Sequence, residues 1–397
     1  MTAAEIVPVL PRDHRGPFDP SAELGRLREQ RGLSRLAFPD GHVGWLVTRY
    51  DLARAVLSDR RFSSRQELQH LPVPQERART EHGHVPGLFP HMDLPEHSRY
   101  RRVLAGRFTA PRTRLLEPAI RDIVGECLDA MAQAGPPADL VTAFAQPVPR
   151  LVICELLGVP SADRDLLKPA LSALVDLGSP RERLAIALGT LAGYLRELLL
   201  RRGSEPAGDL LSELTADTDL SVEELTNVTL VLLTAGSLPT SNMLALGTFA
   251  LLSHPRQQVT LMSDPAVLGS AVDELLRYLS VNQFDVRRAA LEDVELAAEV
   301  IRAGETVVLA LAAANRDPSR FRDPDTLDLR RQGSGELAFG HGIHHCLGQH
   351  LARAELRVGF QELFRRFPRL RPAVPAERIA MLDDSVLYGV RELPICW

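Results

Sequence analysis

Lysine is nearly missing from this 397-residue chain: Lys168 stands alone, and every other cationic side chain apart from histidine is arginine. Cysteine is also scarce. Cys127, Cys154, Cys346 and Cys396 are widely spaced with no C-x-x-C pair, which argues against a disulfide framework and fits a reducing compartment. A basic excess is absent, the formal charge being -5 with 24% charged residues, so no nucleic-acid partner is expected. The opening, MTAAEIVPVLPRDHRGPFDP, is polar and broken by proline. It lacks the apolar core of a signal peptide and the ~20-residue apolar span of a membrane anchor. A cytoplasmic protein without a membrane partner is the expectation. Internal repeats and low-complexity linkers are absent as well, and the proline-rich patches (71–95, 136–149, 371–376) are short. A single domain over residues 1–397 is therefore expected.

What is present is mostly helical text. With 45% hydrophobic residues the chain can fill a large core, and residues 114–133, 146–157, 185–202, 221–253, 267–279 and 347–367 carry apolar side chains at three-to-four spacing. Strand-like text is confined to residues 44–50, 294–310 and 386–397, where β-branched residues flank turn glycines. The class predicted is mainly α with minor β: a helical body beside small sheets.

Residues 339–355, FGHGIHHCLGQHLARAE, form a glycine-punctuated loop that brings Cys346 to the start of an amphipathic helix. Unpaired N–H groups and the positive end of the dipole at a helix start favour a thiolate. Gly340 and Gly342 permit a tight turn, and Gly348 allows close approach of a flat ligand. A lone cysteine so presented suits the axial thiolate of a haem iron. Two rivals stand beside this reading: a buried cysteine acting as a small hydrophobe, and a zinc site using His341, His344, His345 and His350. Neither explains the glycines, and the spacings do not match the usual zinc sets.

FGHGIHHCLG resembles the haem signature of the cytochrome P450 family, F-x-x-G-x-x-x-C-x-G, with Phe339, Gly342, Cys346 and Gly348 in its places. Further segments match in order, from GWLVTRYDLARAVLSDRRFSS to LPICW. The resemblance implies a P450-type domain with a long central helix over haem b, and Cys346 as its axial ligand. In DELLRY, Glu274 and Arg277 are one helical turn apart and resemble the family's E-x-x-R pair. Arg331 is the candidate for the third place, with Arg330 as its near alternative. By the same resemblance His97, Arg101, Arg288 and His344 are candidate partners of the haem propionates, since arginine binds carboxylates through charge-assisted bonds. Arg99, Arg102 and Arg107 are candidates for docking an acidic electron carrier. Electrons are expected from a separate ferredoxin and its reductase, and a monomer is expected. One departure is Glu336, which stands where the family usually has histidine.

The stretch TAGSLPTSNML (234–244) lies inside the longest helical segment and carries Pro239 near its middle. Proline removes the bond from its own nitrogen to the carbonyl of Ala235 and costs on the order of 3 kcal/mol in a helix interior. The family's motif here is A-G-x-(D/E)-T, whose acid and alcohol supply protons for oxygen activation. Ala235 and Gly236 match it, whereas Leu238 and Pro239 replace the acid and the threonine. At 100° per residue, Ala235, Gly236, Asn242 and Met243 share the face of Pro239, Ser237 points away, and Thr240 lies at the margin as the best replacement donor.

These features predict a haem-dependent monooxygenase that hydroxylates, epoxidises or oxidatively couples a medium-sized organic substrate, a bacterial natural product. The substrate is expected against the loop Phe62–His91, Leu233, Ser237, Leu238, residues Asn282–Val286 including Phe284, and Leu387. Alternatives are a haem enzyme driven by peroxide or catalysing rearrangement, and a non-catalytic helper of a partner enzyme. The intact cysteine loop argues against the helper.

Overall fold

The structure, a computed structural model, describes residues 6–74, 85–175, 179–333, 335–383, 385 and 387–397. Part of the expected substrate loop, residues 75–84, lies outside the described residues.

The central helix, Val222–Ser253, starts with a reciprocal cap: the Ser221 hydroxyl accepts from the Glu224 N–H at 3.2 Å and the Glu224 carboxylate from the Ser221 N–H at 2.8 Å. It is apolar on nearly all sides because it is enclosed on nearly all sides. Helices Pro147–Leu156, Arg181–Ser204 and Gln349–Arg366 pack against it, and Leu244, Leu246, Phe249 and Leu251 are fully buried. Among the described residues it is the one helix long and apolar enough to cross a membrane; its burial marks it as a core helix. The expected helices all form, with ends shifted by a few residues, as at Ala110–Ala134 and Leu268–Leu279.

The β content is peripheral. A six-stranded sheet runs in the spatial order Ile6–Val7, Leu33–Ala37, Val43–Val47, Thr306–Leu309, Arg287–Ala290, Phe62–Ser63. Trp45 pairs in parallel with Val307, and Arg288 pairs antiparallel with the same residue. The segment 294–310 folds as a hairpin, Val294–Leu296 with Glu299–Ile301, and then a separate strand. Ala297 and Ala298 turn that hairpin at φ 51° and 63°, a conformation the β-branched pattern does not announce. At the C-terminus only Pro394–Cys396 is a full strand. Leu387 makes an isolated bridge to Asn282, which brings the chain end back beside the segment after Leu268–Leu279.

Candidate active site

Between the central helix and the cysteine loop lies a cavity of about 600 Å³. Its floor is Phe339, Gly340, His344, Cys346, Leu347 and Gly348. The loop is locked by its backbone: the Cys346 N–H donates to the Phe339 carbonyl at 2.9 Å. Gly342 sits at φ +75°, where a Cβ would come 2.3 Å from the Leu57 carbonyl oxygen, so only glycine fits this turn. Gly348 caps the following helix and borders the cavity. A Cβ there would meet no protein atom within 4 Å, so the room it leaves belongs to the cavity and not to packing.

Cys346 precedes the first helical residue, Gln349, by three positions. Burial pushes its thiol up, while the N–H groups of Gly348 and Gln349 and the guanidiniums of Arg101 and Arg353 pull the other way. Burial prevails, which differs from the thiolate expected of a helix start. A directly bonded metal cation makes a thiolate even in such a site.

His97, Arg101, Arg288 and His344 all border this cavity. His97 and Arg288 are 2% and 8% exposed, and the rings of His97 and His344 are 4.3 Å apart. Burial, then the neighbouring Arg288, lowers His344 to about 3; burial alone leads in lowering Arg288 to about 10. Arg101 donates to the His345 carbonyl at 2.6 Å and Arg288 to the Arg287 carbonyl at 2.7 Å. Neither has a carboxylate at ion-pair distance among the described residues. A buried and a half-buried guanidinium, supplied only with carbonyls, are suited to two carboxylates from a ligand, and with the free Cys346 sulfur the donor set fits a haem. The neighbouring histidines are engaged elsewhere: His341 with Arg54 and His345 with Gln349. No group of three metal-ligating side chains occurs among the described residues.

Leu232, Ala235, Gly236, Leu238, Pro239, Thr240 and Met243 form the opposite wall. The helix is unbroken across Pro239. Thr240 donates to the Gly236 carbonyl at 3.4 Å, a long bond that leaves its hydroxyl little committed. Three expected pocket residues lie elsewhere. Leu233 is buried in the helical core while its neighbour Leu232 reaches the cavity, a difference of one 100° step. Ser237 donates to the Leu233 carbonyl at 2.8 Å and faces a second cavity. Phe284 packs with Val7, Leu36 and Val308, under Arg12 at 5.1 Å. Asn242 also turns away from the face of Pro239, into the second cavity. Asn282, Leu238 and Leu387 do border the main cavity.

One residue went unread in the sequence: Glu355, in the helix after the loop, borders the same cavity with 1% exposure and no partner for Oε2. Burial raises its carboxyl well above the usual range. It was hidden in LARAE as an ordinary helical acid.

Below the loop, Arg277 grips Glu274 with two bonds of 2.7 and 2.8 Å, and Arg331 joins the same carboxylate at 2.9 Å. Arg330, the near alternative, pairs instead with Asp264. Glu336 pairs with Arg353 at 2.6 Å. Among the three docking candidates, Arg99 pairs with Glu224 and Arg107 with Asp217 and Glu213. Arg102 bonds its own helix at Ser98 and remains exposed.

A helical body, small sheets and a lone cysteine facing a long helix across a cation-rimmed cavity define a haem-thiolate oxygenase fold. A sequence model described as Cytochrome P450 matches residues 204–387. The chain is 47% identical over 381 residues to Cytochrome P450 105C1 of a Streptomyces species, covering 96% of both. It is 41% identical to pentalenic acid synthase of Streptomyces avermitilis, covering 100% of this chain and 99% of that one. The crystal structure of the mycinamicin VIII C21 methyl hydroxylase of Micromonospora griseorubida, bound to mycinamicin VIII, superposes with a TM-score of 0.91 at 32% identity, over 98% of this chain and 100% of that one. The chain belongs to the cytochrome P450 family, and it is a haem-thiolate oxidoreductase of the monooxygenase class.

Proposed function

We propose that this enzyme oxidises a medium-sized natural product in the 600 Å³ cavity, with haem b bound through Cys346. The observation that carries this reading is the facing of Cys346 and the Ala235–Thr240 wall across a cavity whose Arg101 and Arg288 have no carboxylate at ion-pair distance among the described residues. Arg101, Arg288, His97 and His344 would hold the propionates; Glu274, Arg277 and Arg331 brace the loop beneath. When bound, the haem supplies oxygen activation and the oxidation itself.

The chain's own contribution is orientation, exclusion of water and proton supply. Leu232, Leu238, Met243 and Leu387 give the cavity apolar contact, while Asn282 adds a polar group that orients a substrate. Leu238 and Pro239 offer no proton, so we assign that role to the Thr240 hydroxyl, with the buried Glu355 as an acid in the same cavity. A hydroxylated or epoxidised natural product is favoured because relatives named for such activities match nearly the whole chain, among them a mycinamicin IV hydroxylase/epoxidase over 95% of it. A ferredoxin and its reductase would supply electrons, with exposed Arg102 in their docking area. We read residues 1–397 as one cytoplasmic domain acting as a monomer.

The test is spectroscopic. Reduced protein treated with carbon monoxide is expected to show the absorbance band from which the family takes its name, and Cys346→Ser to lose it. Protein that binds no haem would overturn the reading.

A further inference from the structure

A second cavity, of about 340 Å³, lies behind the central helix and shares Leu238 with the first. Three elements bring one cation each to it: Arg150 from Pro147–Leu156, Lys168 from the start of Lys168–Val175, and Arg391 from the C-terminal segment. No carboxylate lines it among the described residues. Its remaining polar side chains are neutral hydroxyls and amides, Ser237, Ser241 and Asn242 of the central helix among them, and Leu171, Leu238 and Val390 give it an apolar side.

The charge of Arg150 is poorly compensated. Its side chain is 12% exposed, its bond to the Arg164 carbonyl is 2.7 Å, and its acid partner Asp165 stands off at 3.4 Å and is 91% exposed. A nearly buried guanidinium whose counter-ion is out in solvent gains from an anion delivered on the other side. Lys168, the chain's single lysine, is exposed at the same cavity, where it can meet an incoming acid before that acid is desolvated.

We propose that this second cavity binds the carboxylate of an amphiphilic organic acid, with the acid group between Arg150, Lys168 and Arg391 and the apolar body against Leu171, Leu238 and Val390. The size suits a small ligand or part of a larger one. One carboxylate chemistry has two sources. The acid is either a separate effector held wholly behind the central helix, or the acid end of the substrate, reaching past Leu238. The site stands on its own residues; only the second source rests on the oxidase reading of the main cavity.

The experiment uses the haem-loaded enzyme with decanoate and its uncharged counterpart decanamide, titrated by calorimetry near neutral pH. Charge-assisted bonds predict that decanoate binds about 10-fold more tightly than decanamide. Lys168→Gln and Arg150→Gln are each expected to weaken decanoate several-fold and to leave decanamide unchanged. Lys168 is exposed, so its variant tests the site even where Arg150→Gln folds poorly. Equal binding of acid and amide, or decanoate binding untouched by Lys168→Gln, overturns the proposal. The haem absorbance separates the sources. Decanoate that binds without moving it, and persists beside an azole on the iron, is an effector. Decanoate that moves it and is displaced by the azole, with both effects weakened in Lys168→Gln, is a bridging substrate. A shift that survives both substitutions overturns the proposal, because the acid then sits in the main cavity alone.

Discussion

Arg353 holds the Glu336 carboxylate at 2.6 Å while its guanidinium lies 4.4 Å over the Phe339 ring. Phe339 in turn accepts the Cys346 N–H, so the acid that replaces the family's histidine steadies the cysteine loop through one arginine. Asp273 is the second acid on that arginine, at 2.7 Å. Glu336→Ala is therefore expected to cost on the order of 1–3 kcal/mol, less than a fully broken buried pair. Thermal unfolding of the haem-loaded protein measures this, and Glu336→Gln should recover part of the loss.

Arg101→Gln and Arg288→Gln are expected to lower haem retention with little change in the helical signal of the protein. Each variant removes a cation that has no carboxylate at ion-pair distance among the described residues. Transfer of haem to excess apomyoglobin gives the rate. An unchanged rate in both variants would remove these arginines from the propionate role.

Thr240→Ala is expected to lower product formed per reducing equivalent and to raise peroxide release, with substrate binding unchanged. A positioned proton donor contributes ~10²–10⁴-fold, although bound substrate or water can take over part of the role. Coupling that does not change would assign the proton to another group, and Glu355 is the first to examine.

Glu355→Gln separates two effects of one buried acid. The folded chain holds this proton more tightly than the unfolded chain, so the acid costs stability as pH rises above the ordinary value of 4.5. The glutamine variant is expected to match or exceed the parent in thermal midpoint near pH 7, the difference growing with pH. Its coupling efficiency should fall. A destabilised variant with unchanged coupling would make Glu355 a structural residue only.

Glu224 behaves in the opposite sense. Burial raises its carboxyl, but bonds from Arg99, Ser221 and Tyr100 outweigh this and hold it at about 2, below the ordinary 4.5. The folded state thus gains stability that is complete above pH 4.5 and is lost as pH falls toward 2. Glu224→Gln should cost on the order of 2 kcal/mol near neutral pH, and the difference should shrink across that acid window in urea unfolding.

Local patterns in the sequence were reliable where one period or one motif decided the outcome. The helices follow their apolar spacing, and the cysteine loop follows its glycines because Gly342 has no room for a side chain. Arg331 was distinguishable from Arg330 only in three dimensions, since both follow the same Asp328 and either can turn toward Glu274. Leu233, Ser237 and Phe284 failed for a related reason: Leu233 turns into the helical core, Ser237 into the second cavity and Phe284 into the core against the six-stranded sheet, and composition does not say which space a side chain enters. Glu355 escaped because burial, not residue type, makes a helical glutamate unusual.

The scarcity of lysine has a practical consequence. Lys168 carries the chain's one side-chain amine, so once the α-amino group, which reacts at lower pH than a lysine, has been blocked near neutral pH, an amine-reactive dye applied at higher pH would mark a single position, at the mouth of the second cavity. The enzyme comes with its own attachment point for an optical reporter, placed where occupancy of that cavity would change the signal.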